Sequence, residues 1–165
     1  MSDEALAVAA RRVLDLSRAK GLRIATAESC TGGLVIGALT DIAGSSDVVD
    51  RGFVTYSNAA KEAMLGVAST TLLAYGAVSR ETAEAMARGA LGQSPAELAV
   101  AVTGIAGPGG GTADKPVGLV HFAAARRNGP LILRERRFGD IGRAEIRRLS
   151  VIEALAMLSE LTADT

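Results

Sequence analysis

A single cysteine, Cys30, excludes an internal disulfide and fits a reducing compartment, so a cytoplasmic location is expected. With no tryptophan, two tyrosines and three phenylalanines, the chain has too few rings for a base-stacking platform. Eighteen basic residues against eighteen acidic ones leave no net charge for holding nucleic acid by bulk electrostatics. No apolar run approaches membrane-spanning length, and the opening MSDEALAVAARR lacks the basic-then-apolar order of a secretion signal. No His/Cys/Asp cluster has metal-ligand spacing. Neither nucleic acid, membrane, metal nor cofactor is therefore expected as a partner.

What is present describes a globular protein, 48% hydrophobic and of a length that one domain over residues 1–165 would use. Apolar positions Leu6, Ala9, Ala10, Val13, Leu14 and Leu16 follow helical spacing and predict an opening helix that stops near Gly21. A strand from Leu22 to Ala27 follows, then a helix from Leu34, and a second strand over Gly52 to Tyr56. Ser57 and Ser79 read as caps of two more helices. Three further strands are expected at Leu98 to Thr103, Val117 to Ala125 and Leu131 to Phe138, the last two joined by a hairpin turn at Arg127-Asn128-Gly129-Pro130. A helix from Arg143 to Leu161 completes the set. Alternating strands and helices with near-continuous apolar strand cores predict a three-layer α/β/α sandwich around a mixed, mostly parallel sheet.

Ligands in such sheets gather beyond the carboxyl ends of the strands. The first strand ends there in Glu28-Ser29-Cys30-Thr31-Gly32-Gly33, two hydroxyls and a thiol beside the start of a helix. Free N–H groups at a helix start can hold an anion or a developing oxyanion, which makes Ser29 a candidate nucleophile and Thr31, Gly32 and Gly33 candidate donors. Helix capping by Ser29 or Thr31 is the plainer reading. Cys30 is the rival nucleophile or a buried structural thiol. Glu28 either orients a substrate group or serves as a structural hydrogen-bond partner.

A serine nucleophile needs a base. The only histidine, His121, lies within the apolar strand Gly118-Leu119-Val120-His121-Phe122-Ala123, which argues against a Ser-His-Asp triad. Of the three lysines, Lys20 precedes the first strand and should lie roughly 20 Å or more from Ser29 at about 3.3 Å per strand residue. Lys61 falls in the first turn of a helix, where the dipole disfavours a cation and a neutral amine becomes accessible. Lys115 follows a glycine run and has no evident cause for a lowered pKa. Lys61 is thus the candidate base, with a solvated surface lysine as the alternative.

The stretch Thr103-Gly104-Ile105-Ala106-Gly107-Pro108-Gly109-Gly110-Gly111-Thr112 is neither a Walker A loop nor a dinucleotide fingerprint. It reads as a close backbone approach to a ligand, a flap, or a long turn. Arg143 and Arg147 share one face at the start of the last helix, a poor place for cations without an anion nearby. A phosphate or ordinary ion pairs would explain them.

Taken together, Ala27-Glu28-Ser29-Cys30-Thr31-Gly32-Gly33, Gly52-Phe53-Val54-Thr55-Tyr56-Ser57-Asn58 with Lys61, Gly76-Ala77-Val78-Ser79, and Thr103-Gly104-Ile105-Ala106-Gly107-Pro108 with Lys115-Pro116-Val117-Gly118 resemble the CinA C-terminal domain family of nicotinamide-nucleotide amidohydrolases. The resemblance implies hydrolysis of the carboxamide of nicotinamide mononucleotide (NMN) by a serine/lysine mechanism without a cofactor. It implies Ser29 as nucleophile, Lys61 as base, Tyr56 and Thr103 in the same pocket, and Arg143 or Arg147 on the phosphate. Glu28, Thr31, Gly32, Gly33 and Gly104 complete the expected substrate-binding set. A homo-oligomer is expected for a small enzyme with alanine-rich helices. A nucleotide-binding module without turnover and a Cys30-dependent hydrolase are the alternatives.

Overall fold

Asp3 accepts the Leu6 N–H and starts helix α1 (Glu4–Lys20), which ends where Gly21 turns left-handed at φ 66° and returns its N–H to the last carbonyls. The computed structural model describes residues 3–163. Along them follow β1 (Ile24–Glu28), α2 (Leu34–Thr40), a 3-10 turn at Ser45–Asp47, β2 (Val49–Val54), α3 (Asn58–Leu65) and α4 (Ser69–Tyr75). Then come α5 (Arg80–Gly92), β3 (Leu98–Gly104), β4 (Leu119–Arg126), β5 (Leu131–Arg137) and α6 (Arg143–Ala163). Ser57 caps α3 and Ser79 caps α5, as their positions in the sequence predict.

The five strands lie in the order β2-β1-β3-β4-β5. β1 runs parallel to both β2 and β3, while β4 is antiparallel to β3 and to β5, so only β4 opposes the common direction. The hairpin from β4 to β5 closes through Arg126 and Pro130, with Asn128 left-handed at φ 55°. Helices cover both faces. α1, α2 and α6 pack on the side of Ile24, Val100, Val102, Val120 and Phe122. α3, α4 and α5 pack on the side of Ala25, Ala27, Ala99, Ala101, Ala123 and Ala125. The three-layer sandwich with a mixed sheet is thus the observed fold.

Two differences from the expected elements have physical reasons. β2 occupies Val49–Val54 rather than Gly52 to Tyr56, because the edge strand pairs on one side only and its half-exposed residues carry no apolar run. α4 begins after Ala68 with no side-chain cap, so no residue type signals its start. Among the described residues, no helix is long and apolar enough to cross a membrane.

Candidate active site

Ser29 lies one residue past β1, its N–H bound to the Val102 carbonyl, so the parallel pairing with β3 holds it level with Thr103. Lys61 lies in the first turn of α3, where helical side chains slant back toward the N-terminus. That slant carries its amine to the carboxyl ends of the strands. Lys61 Nζ lies 3.0 Å from Ser29 Oγ, 3.0 Å from the Thr55 carbonyl oxygen and 3.3 Å from that of Tyr56. The side chain is 1% exposed and has no carboxylate partner among the described residues. Burial pushes the Lys61 pKa below the ordinary value for lysine.

A cavity of about 220 Å³ opens over this pair. Tyr56, Thr103, Gly104 and Arg143 line it together with Ser29, Lys61 and Cys30. Ala77, Val78 and Ala106, to which the sequence motifs gave no role, supply an apolar wall. The signal for it was available: Ser79 caps α5, so the residues just before it must arrive at the helix start beside the strand ends. Thr103 lines the cavity with Lys61 but shares no hydrogen bond with it. Its hydroxyl donates to the Ala77 carbonyl at 2.7 Å and so anchors that wall. Tyr56 Oη receives a hydrogen bond of 3.0 Å from Arg143 Nη2, while Arg143 Nη1 donates to the Gly107 carbonyl at 2.7 Å. Arg143 has no acidic partner among the described residues, so its charge stands uncompensated at the cavity mouth.

The other residues singled out from sequence stand behind the cavity. Glu28 is fully buried and turned to the opposite face of the sheet. Its Oε1 accepts the Thr31 hydroxyl at 2.7 Å and the Val35 N–H at 2.8 Å, and its Oε2 accepts the Thr26 hydroxyl at 3.1 Å and the Ile36 N–H at 3.0 Å. This is a correction on two points. Glu28 has no free oxygen for a substrate, and the start of α2 is not a vacant anion site because Glu28 already fills it. Thr31, Gly32 and Gly33 do not line the cavity, and Thr31 spends its hydroxyl on Glu28. Arg147 also lies outside the lining. Its Nε donates to the Cys30 carbonyl at 3.1 Å and its Nη2 to that of Thr31 at 3.3 Å.

Two alternatives weaken. Cys30 is 5% exposed, and burial pushes its thiol up to about 12, so a thiolate is scarce at neutral pH. His121 lies level with Thr103 on β4, outside the cavity lining, 3.6 Å from Glu135, and burial lowers its pKa. Lys20, bonded to the Thr162 carbonyl, is far from the pair, and Lys115 reaches the Tyr75 carbonyl at 2.6 Å.

The chain is similar to known proteins over most of its length. The chain is 48% identical over 159 residues to the nicotinamide-nucleotide amidohydrolase PncC of Escherichia coli K12, covering 96% of the chain and 95% of that protein. It is 54% identical over 121 residues to the PncC of Enterobacter agglomerans, covering 73% of the chain and 74% of the relative. Among solved structures, the competence/damage inducible protein CihA from Agrobacterium tumefaciens superposes with a TM-score of 0.96 at 60% identity, covering 98% of each chain. Other relatives, CinA-like and competence-damage inducible proteins, are matched over only 27% to 36% of their own length. The model of the CinA C-terminal domain matches residues 6–162, and the chain belongs to that family.

Proposed function

We propose that this protein hydrolyses the carboxamide of NMN to nicotinate mononucleotide and ammonia, with Ser29 as nucleophile and Lys61 as general base. The observation that carries the mechanism is the 3.0 Å contact between Lys61 Nζ and Ser29 Oγ in a site closed to water on the lysine side. A neutral amine has two N–H donors and one lone pair. The carbonyls of Thr55 and Tyr56 take the donors, and the lone pair is left for the Ser29 hydroxyl proton. The substrate is supported by the amidohydrolase names of the two PncC relatives.

In the forward step Ser29 Oγ attacks the amide carbon as its proton moves to Lys61. The turn after Ser29 closes through the Gly32 N–H on the Ser29 carbonyl and the Leu34 N–H on that of Thr31. The N–H group of Cys30, which lines the cavity, takes no part in those bonds and is the donor for the oxyanion. Lys61 then gives that proton to the amide nitrogen, the C–N bond breaks and ammonia leaves, and water activated by the same amine releases nicotinate mononucleotide from the serine ester. The apolar wall of Ala77, Val78 and Ala106 receives the pyridinium ring, and Arg143 exchanges its contact with Tyr56 for the substrate phosphate.

Ammonia release tests this directly. NMN should be turned over far faster than nicotinamide riboside or nicotinamide, and Ser29→Ala or Lys61→Ala should abolish release while binding of NMN persists. Activity should rise with pH through a midpoint below the ordinary lysine range, because the base works only when neutral. Full activity in Ser29→Ala, lost instead in Cys30→Ala, would assign the nucleophile to the thiol. Binding without any release would leave a nucleotide-binding module.

A further inference from the structure

Arg147 donates into the backbone of the nucleophile turn from a helix 117 residues away in sequence. The turn Ser29-Cys30-Thr31-Gly32 is closed by the Gly32 N–H on the Ser29 carbonyl. That bond fixes the ends of the turn. It does not hold the middle peptide, Cys30–Thr31, whose orientation is what distinguishes one turn type from another. Arg147 holds it, through Nε on the Cys30 carbonyl, and holds the next peptide through Nη2 on the Thr31 carbonyl. In a trans peptide the N–H points opposite to the C=O, so a cation on the carbonyl side fixes the plane of the Cys30–Thr31 peptide and, through it, the path of the turn that carries Ser29 and Cys30.

Three further features fit this arrangement. Arg147 has no carboxylate partner among the described residues, so its charge is spent on these carbonyls. Gly32 adopts φ 57°, and a Cβ there would stand 3.2 Å from Arg147 Nη2, so the glycine leaves the guanidinium its space. Glu28 also fixes Thr31, through its hydroxyl. The turn is thus gripped by an acid from the strand and a base from α6, and neither lines the cavity.

We propose that Arg147 is a positioning residue of the reaction: it holds the Cys30–Thr31 peptide so that the turn presents the Ser29 hydroxyl and an N–H donor to the carboxamide together. This assigns Arg147 to the transition state and leaves the phosphate to Arg143. The role rests on the amidase reading for its substrate, and on the Arg147 bonds to the Cys30 and Thr31 carbonyls for its geometry.

The experiment compares Arg147→Met, Arg147→Lys and Arg143→Met in the full chain. Arg147→Met should lower kcat for NMN roughly 10- to 100-fold with KM held within about threefold, and the NMN to nicotinamide riboside ratio of kcat/KM should stay as in the wild type. Arg143→Met should do the opposite, raising KM and collapsing that ratio. A neutral alkyl fluorophosphonate provides a second readout: Ser29 Oγ forms a bond to phosphorus, fluoride leaves, and the serine proton goes to Lys61. Its labelling rate should fall in Arg147→Met by a similar factor and recover in part in Arg147→Lys, which keeps the charge without the planar fork. Should the methionine variant melt at a lower temperature, the lysine variant decides by the same split between kcat and KM. A raised KM with kcat kept, a lost preference for NMN, or labelling at the wild-type rate would overturn the assignment. If the wild type releases no ammonia from any of these substrates, the amidase reading falls, and the labelling rate alone judges Arg147.

Discussion

The two faces of the sheet are built from different material. Toward α1, α2 and α6 the strands point Ile24, Leu98, Val100, Val102, Val120 and Phe122, all fully buried. Toward α5 the three central strands point Ala25, Ala27, Ala99, Ala101, Ala123 and Ala125, met by Ala83, Ala87 and Ala90 of that helix. Large side chains remove more apolar surface from water, so the first face supplies most of the hydrophobic stabilisation. Small ones let layers approach. Within that helical layer α5 and α3 also meet closely, since a Cβ on Gly89 of α5 would stand 2.1 Å from the Leu65 carbonyl of α3. At the carboxyl end of this thin layer the alanine rows give way to Ser29, Thr103 and His121, and α3 is near enough for Lys61 to reach Ser29. One face holds the fold, and the other sets the spacing of the reactive pair.

The sharpest separation of the two should come from Ser29→Ala. It should remove at least about 10⁴-fold of the ammonia-releasing rate, about 5 kcal/mol of barrier, with little change in the denaturation midpoint. Next, Phe122→Ala on the large-residue face should cost about 3–5 kcal/mol of stability in urea unfolding, while kcat of the folded fraction holds. Then Ala101→Leu on the alanine face should cost about 1–3 kcal/mol through overpacking. Unlike Phe122→Ala, it should also lower kcat, because it pushes the helical layer that carries Lys61 away from Ser29. If Ala101→Leu lost stability and kept its turnover, the division of labour between the faces would be wrong.

Much of this was legible because it is written locally. The corner after β1, the Ser57 cap that sets Lys61 in a first turn, and the Arg127 to Pro130 hairpin are all short-range signals, and each stands where the residues put it. Glu28 was not legible. Whether the last residue of a strand meets substrate or the next helix depends on where that helix lies, and α2 brings the N–H groups of Val35 and Ile36 to it. Arg147 failed for the same reason at longer range, since its carbonyl targets belong to a different part of the chain. Two arginines one turn apart looked interchangeable. Only packing separates Arg143 at the mouth from Arg147 behind the turn.

The smallest expected effect concerns pH and tests whether the thin face carries a penalty at all. Burial lowers the Lys61 pKa below its ordinary 10.5, so between the two values the unfolded chain binds a proton that the folded one does not. Stability of the wild type should therefore climb as pH rises through that window, and the penalty should be complete below the folded-state pKa. Lys61→Met abolishes the titration. It also leaves the Thr55 and Tyr56 carbonyls without their donor, which offsets part of the gain at neutral pH. The informative quantity is consequently the difference between the two proteins across pH rather than either stability alone. The variant should fare best relative to the wild type near pH 7 and lose that advantage steadily toward about pH 10 in urea titrations. A difference that stayed flat would mean that Lys61 keeps its proton in the folded protein, and the alanine face would then hold a cation rather than a base.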